Sequence, residues 1–143
     1  LNAALGLVQL KYVKARNERR GELIQRYRER LSRIPELGVP FAKSRGVPGF
    51  HIMPVLLPAN VKRHDVMTAL MEAGIQSSIH YRPIDTFTAF VQAGLGPSQA
   101  VPRTHTIGER VVTLPLYPRM SDAQVALVCD TLGTALARVP TAA

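Results

Sequence analysis

Gly74-Ile75-Gln76-Ser77-Ser78-Ile79-His80-Tyr81-Arg82-Pro83 is the stretch whose reading decides the fold. A helical pattern runs up to it, and within it the apolar period shortens to two. Gly74 is a good helix stop, because glycine takes the left-handed conformation without a Cβ clash. Gln76 to Tyr81 then reads as a short strand. Ile79 and Tyr81 point one way, Ser78 and His80 the other. Pro83 pushes Arg82 towards extended geometry, so the strand runs out into a loop. A polar face carrying a histidine at a strand's end is a place for a site, although an ordinary solvated strand face has the same pattern.

Upstream, residues 61–73 read as a helix with Val66, Met67, Leu70 and Met71 turned inward, the methionines filling gaps. Residues 50–57 read as a strand in which Pro54 demands an edge, a bulge or a break. Residues 38–49 carry Pro40, Gly46, Pro48 and Gly49 with Lys43 and Arg45 between, a loop without a phosphate-binding glycine motif. Residues 1–34 form one long helix or two in tandem, ended by Pro35. Leu23, Tyr27, Leu31 and Ile34 share one face, and Glu22–Arg26 and Glu29–Arg33 have the favourable acid-first spacing. Such a helix spans about 50 Å. Its first third is apolar almost all round, from Leu1 to Val13, and so needs burial on every side. This chain can scarcely supply that, so the segment calls for another domain or subunit.

Downstream, Phe87, Phe90 and Val91 suggest a helical turn against the core. Gly94, Gly96 and Pro97 open a loop. Residues 102–110 suggest a short helix and residues 111–114 a strand. Ser121 and Gln124 have capping-box spacing at the start of a last helix, with Asp122 favourable in its first turn. Val125, Val128, Leu132 and Leu136 form that helix's buried stripe, with Cys129 beside it. Residues 139–143 are expected to fray. The element order describes an α/β fold, a two-layer sandwich. Its sheet is small and mostly antiparallel, with helices on one face, preceded by the long helix.

The 143 residues make one domain's worth of chain, and 46% hydrophobic against 20% charged residues mark it as globular. The single cysteine excludes an internal disulfide and fits a reducing, cytoplasmic setting. No apolar run is long enough to span a bilayer, and the N-terminal stretch lacks the flanks of a signal peptide. The net charge is +8, and residues 11–33 hold nine basic residues against three acidic ones. A basic helix can meet phosphate. Only Tyr12 and Tyr27 offer stacking there, which weakens a single-stranded nucleic-acid reading. His51, His64, His80 and His105 are scattered, without carboxylates at ligand spacing, so no metal site is read. Cys129 in mid-helix reads as a core thiol. Ser77 and Ser78 lack the glycine-flanked turn of a hydrolase nucleophile.

The order of motifs resembles a known family. Asn2-Ala3-Ala4-Leu5-Gly6-Leu7-Val8-Gln9-Leu10 resembles the helix signature of the DegT/StrS-type sugar aminotransferases. The arginine-rich continuation with Arg19-Arg20 and Tyr27 is similar as well. Gly74-Ile75, then His80-Tyr81 and Pro83, resembles the family's glycine–isoleucine and histidine–tyrosine–proline segment, with Arg82 inserted before the proline. Leu114-Pro115-Leu116-Tyr117-Pro118 before Ser121-Asp122 resembles its turn into the final helix. Four matches in order over almost the whole chain are far more specific than any one.

The resemblance implies the C-terminal small domain of a fold-type-I enzyme that uses pyridoxal phosphate (PLP). Such enzymes move an amino group onto a nucleotide-linked keto-sugar. On this basis the chain is a single domain in which residues 1–34 bridge to a missing large domain and residues 50–138 form a small α/β unit. The family's Schiff-base lysine and most of its phosphate cup lie in that large domain. No catalytic, cofactor-binding or metal-binding residue is assigned here, and the isolated chain is expected to be inactive and to bind no PLP. His80 and Tyr81 are the substrate-binding candidates, His80 ranked first because alternation sends Tyr81 to the opposite face. Arg82 would suit a substrate phosphate but departs from the family pattern. The expected partners are the large domain or a partner subunit, in a homo-oligomer, and the nucleotide-sugar substrate; no membrane is expected. The competing reading is a free-standing basic α/β module that binds nucleic acid or another polyanion; a third is a split-gene product.

Overall fold

A computed structural model describes residues 1–41, 43, 46–97 and 101–138. Arg45 in the first loop and the tail expected to fray, residues 139–143, lie outside the described residues.

Helix α1 is continuous over Asn2–Leu31. Leu23, Tyr27 and Leu31 are fully buried on one stripe with Ile24 beside them, and Ile34 packs against the same core just past the helix end. The expected pairing of Glu22 with Arg26 does not form. Glu22 instead takes Arg19 at 2.7 Å, and Arg26 reaches across to Asp122 at the start of the last helix. A longer-range carboxylate displaces the local one, since a local pair contributes only a few tenths of a kcal/mol. In the outer half of α1, Leu1, Leu5, Leu7, Val8, Leu10, Tyr12 and Val13 are all exposed. Nothing among the described residues covers them.

Strand β1 spans Met53–Leu56 and β2 spans Val111–Leu114, paired antiparallel. Met53 faces Leu114 and Val55 faces Val112, and all four join the core formed with α1, α2 (Arg63–Glu72) and α5 (Asp122–Ala137). Single bridges extend the sheet on each side, Gly38 to Leu56 and Ser78 to Thr113. Leu56 exchanges both backbone bonds with Gly38 at 2.8 Å, on the side away from β2. Pro54 lies two residues earlier, so its missing donor falls on that same side and the β1–β2 ladder loses nothing.

The strand expected over residues 76–81 shrinks to the one bridge at Ser78. In that register the next hydrogen-bonded pairs would be Gln76 with Pro115, which has no N–H, and His80 with Val111, whose N–H is already given to Ile107 O at the end of α4. The helix before it ends as expected. Gly74 has φ +74°, and Ile75 N–H returns to Leu70 O at 2.8 Å, closing a Schellman turn. Met71, expected inward, is 69% exposed, because Val66, Leu70 and the partly buried Met67 already fill the face towards α5.

A 3₁₀ turn at Ile84–Thr86 leads into the short helix α3 (Thr88–Gln92). Phe87 and Val91 there are largely exposed rather than packed into the core. Helix α4 (Pro102–Arg110) feeds directly into β2. Its buried Gly108 lies against Pro83, and a Cβ at Gly108 would come within 2.6 Å of two ring carbons. The capping box of α5 forms: Gln124 N–H donates to Ser121 Oγ at 3.2 Å, and Ser121 N–H to Gln124 Oε1 at 2.9 Å.

Candidate functional site

Residues 74–78, the end of β2 with the following turn, and the first turns of α5 enclose a cleft of about 550 Å³. The local sequence explains its walls. Gly74 turns the chain off α2, Ile75 anchors it by burial, and Ser78 pins it to Thr113 through backbone bonds of 2.8 and 3.1 Å. Two residues on, His80 falls on the same side as Ser78. Its Nδ1 lies 3.0 Å from Thr113 Oγ1 and 3.3 Å from Ser78 Oγ.

Among the described residues Thr113 is the one polar member of the buried set, 4% exposed, with its hydroxyl directed to His80. A neutral imidazole has one donor and one acceptor nitrogen, and a hydroxyl can serve either. With Nδ1 held by two hydroxyls, Nε2 has no protein partner among the described residues and is the ring atom left for a ligand.

The structure therefore brings His80 into the cleft and leaves Tyr81 outside its lining. Strict alternation would put Tyr81 on the opposite face. Instead its ring lies edge-on to the His80 ring, centroids 4.8 Å apart at 72°, and is 74% exposed. His51, Gln76, Tyr117 and Gln124 add polar groups to the cleft; Met120, Leu127 and Val128 supply apolar wall. Sequence reasoning did not select Thr113 as a site residue. Its signal was a hydroxyl on the outward position of Val111-Val112-Thr113-Leu114.

The other histidines go elsewhere. His64 is exposed beside Asp65, and His105 Nε2 pairs with Asp85 Oδ2 at 2.9 Å between α4 and the 3₁₀ turn. Among the described residues no three His, Cys, Asp or Glu side chains gather as a metal site. Cys129 is buried, and burial pushes its thiol up to about 11, with Arg30 opposing and Asp130 adding to the rise. It stays a protonated packing group, as expected. Burial also pushes the Tyr27 phenol well above its ordinary value, with Cys129 and Tyr117 adding. Tyr27 Oη donates to Pro115 O at 2.9 Å, tying α1 to the cleft wall.

A short antiparallel sheet backed by helices and led by a long helix is the arrangement found in the corresponding third of solved sugar aminotransferases. The chain belongs to the DegT/DnrJ/EryC1/StrS aminotransferase family, whose model matches residues 1–133. It is 35% identical over 130 residues to the spore coat polysaccharide biosynthesis protein SpsC of Bacillus subtilis (strain 168), covering 87% of this chain and 33% of SpsC. Among solved structures it is similar to Spr1654 from Streptococcus pneumoniae, assigned as a sugar aminotransferase, in its PLP-form. There the TM-score is 0.87 at 26% identity, covering 97% of this chain and 36% of that one. The aminotransferase TlmJ from Streptoalloteichus hindustanus gives 0.82 at 26% identity, covering 94% and 36%. The chain thus spans about a third of the length of the relatives it matches.

Holding PLP as a Schiff base needs a lysine in the site. The cleft lining has no lysine and no carboxylate. Lys11 and Lys14 lie on exposed α1, Lys43 in the loop and Lys62 before α2, all four exposed. By themselves, these residues do not fit the cofactor.

Proposed function

We propose that this chain is the C-terminal small-domain portion of a PLP-dependent aminotransferase acting on a nucleotide-linked keto-sugar. It is inactive until joined by the portion that carries the lysine. Family membership and the missing lysine support this reading. The observation that carries the substrate side is His80, fixed at Nδ1 by Thr113 and Ser78 with Nε2 left for a partner. A neutral imidazole nitrogen suits a sugar hydroxyl, as donor or acceptor according to the tautomer. Tyr81, exposed on the edge of that ring, is the second contact.

The exposed apolar half of α1 supports a large domain or second subunit packed there, in a homo-oligomeric enzyme. No helix among the described residues is long and apolar enough to cross a membrane, in keeping with a cytoplasmic enzyme.

The polyanion-binding alternative loses support from the use made of the basic helix. Arg16 bonds Gln9, Arg19 bonds Glu22 and Met120 O, Arg20 bonds Phe50 O, Arg26 pairs with Asp122, and Arg28 bonds Phe41 O. Arg19 and Arg26 thus meet carboxylates, and Arg20 and Arg28 are held on backbone carbonyls, so these four of the nine basic side chains are tied to the chain itself.

The test is to mix the chain with a lysine-bearing large-domain chain and follow PLP absorbance and transamination of a nucleotide-linked keto-sugar. Recovery of both is expected, with His80→Ala raising KM for the sugar. No transamination by the assembled protein, or an unchanged KM in His80→Ala, would overturn the corresponding half of the proposal.

A further inference from the structure

We propose that His64, Met67 and Met71 form a binding site for a soft monovalent cation, Cu(I) by chemical class, on the outer face of α2. The inference stands apart from the aminotransferase reading and uses none of its residues.

The three residues occupy positions i, i+3 and i+7 of the helix Arg63–Glu72. At about 100° per residue that spacing keeps them within roughly 60° of arc. Successive members of such a stripe have Cβ atoms about 5–6 Å apart. All three line one cavity of about 490 Å³, together with Thr68 and residues 74–77.

Met71 is the residue that packing does not explain. A methionine that fills a core gap is enclosed by its neighbours. Met67 meets that description in part, since it packs against the core. Met71 is 69% exposed and stands outside the core. Its thioether faces the same cavity as that of Met67, and soft sulfur donors select Cu(I) among biological metals.

His64 supplies the nitrogen. Its Nδ1 faces Asp65 Oδ1 at 3.6 Å, and its Nε2 has no protein partner among the described residues. A carboxylate behind the far ring nitrogen is the arrangement that orients a metal-bound imidazole and raises its basicity. No Asp, Glu or Cys lines the cavity among the described residues. Hard cations such as Mg(II) and Ca(II) take oxygen ligands, and structural zinc takes four ligands, commonly thiolates. Two thioethers and one imidazole serve neither and suit a soft ion of low coordination number.

The test is titration of the chain with Ag(I), the redox-inert stand-in for Cu(I), and with Zn(II), followed by methionine methyl NMR and calorimetry. The chain carries Cys129→Ala throughout, which removes the one competing thiol. Met53 and Met120, each 2% exposed, are internal controls. One equivalent of Ag(I) is expected to shift the Met67 and Met71 signals and leave those of Met53 and Met120 in place, and Zn(II) to shift none.

Loss of an outer-shell partner alone costs a metal site about 10–100-fold in affinity, so loss of a ligand should weaken Ag(I) binding at least about tenfold. Met71→Leu and His64→Gln should each do so. Leucine conserves the volume of methionine, so Met71→Leu should keep the native circular dichroism spectrum and unfolding midpoint. A cavity that serves only apolar ligands would treat the two side chains alike. Ag(I) binding of equal strength in Met71→Leu, methyl shifts at Met53 or Met120 in place of Met67 and Met71, Zn(II) binding as tight as Ag(I), or no Ag(I) binding at all would each overturn the site.

Discussion

Replacing Gly108 by alanine should destabilise the protein, against the usual sign for a glycine in a helix. In an exposed helix interior, Gly→Ala gains about 1 kcal/mol from backbone entropy. At Gly108 the new methyl carbon would lie 2.6 Å from both Pro83 Cδ and Cγ. The pyrrolidine ring has no rotamer to move to, so the backbone of residues 82–84 or of α4 must shift. Overpacking of this kind costs about 1–3 kcal/mol. Subtracting the helix gain leaves a net loss of up to about 2 kcal/mol. Urea unfolding followed by circular dichroism reads it as a lower midpoint at constant slope.

Gly6 is the matched control. It lies in α1, and a methyl group added there would meet nothing within 4 Å, so Gly6→Ala should raise helicity. A Gly108→Ala protein more stable than the wild type would refute the close approach of Pro83.

Thr113→Val should cost about 1 kcal/mol and free His80 Nδ1 from its better partner, whereas Thr113→Ser should keep the bond. Nitrogen NMR of the imidazole reads the tautomer, and an unchanged His80 signal in the valine variant would show that Thr113 does not hold the ring. Cys129 is raised from 9.0 to about 11, so below pH 9 its contribution is fully present, and it is lost as pH rises through 11. The full loss is on the order of 2–3 kcal/mol. Cys129→Ala should flatten the decline between pH 9 and 10, before Tyr27, whose ordinary value is 10.0, begins to contribute. A decline of equal slope in both proteins would contradict this. Removing residues 1–13 touches none of the buried positions of α1, which begin at Leu23. The intact chain should self-associate in light scattering and the shortened one should not; a monomeric intact chain would count against the apolar face as a docking surface.

Short-range signals in the sequence proved sufficient for several elements. The stripe of α1, the break at Gly74, β2 and the capping box at Ser121 each follow from chemistry within a few residues, and each stands where the residues put it. Errors came where a distant partner decided the outcome. The alternation at Gln76 to Tyr81 is real, yet among the described residues only Ser78 finds a ladder partner, because the flanking partners offer no free N–H: Pro115 has none and that of Val111 goes to Ile107 O. Arg26 chose Asp122 over its near neighbour Glu22. Met71 obeyed the helical period loosely, but the room beneath α2 was already taken. The candidate site was half legible. His80 and Ser78 share a face by simple alternation, whereas Thr113 enters only through pairing across 33 residues of chain.

Among the described residues, helix α1 is a stiff rod clamped at one end only. Arg19 Nη2 holds Met120 O at 3.0 Å and Tyr27 Oη holds Pro115 O, and both of those residues wall the cleft. The unclamped arm, residues 2 to 18, reaches about 24 Å past the first of these ties. One continuous helix thus carries both the apolar tip and the two hydrogen bonds that hold Pro115 and Met120 in the cleft wall.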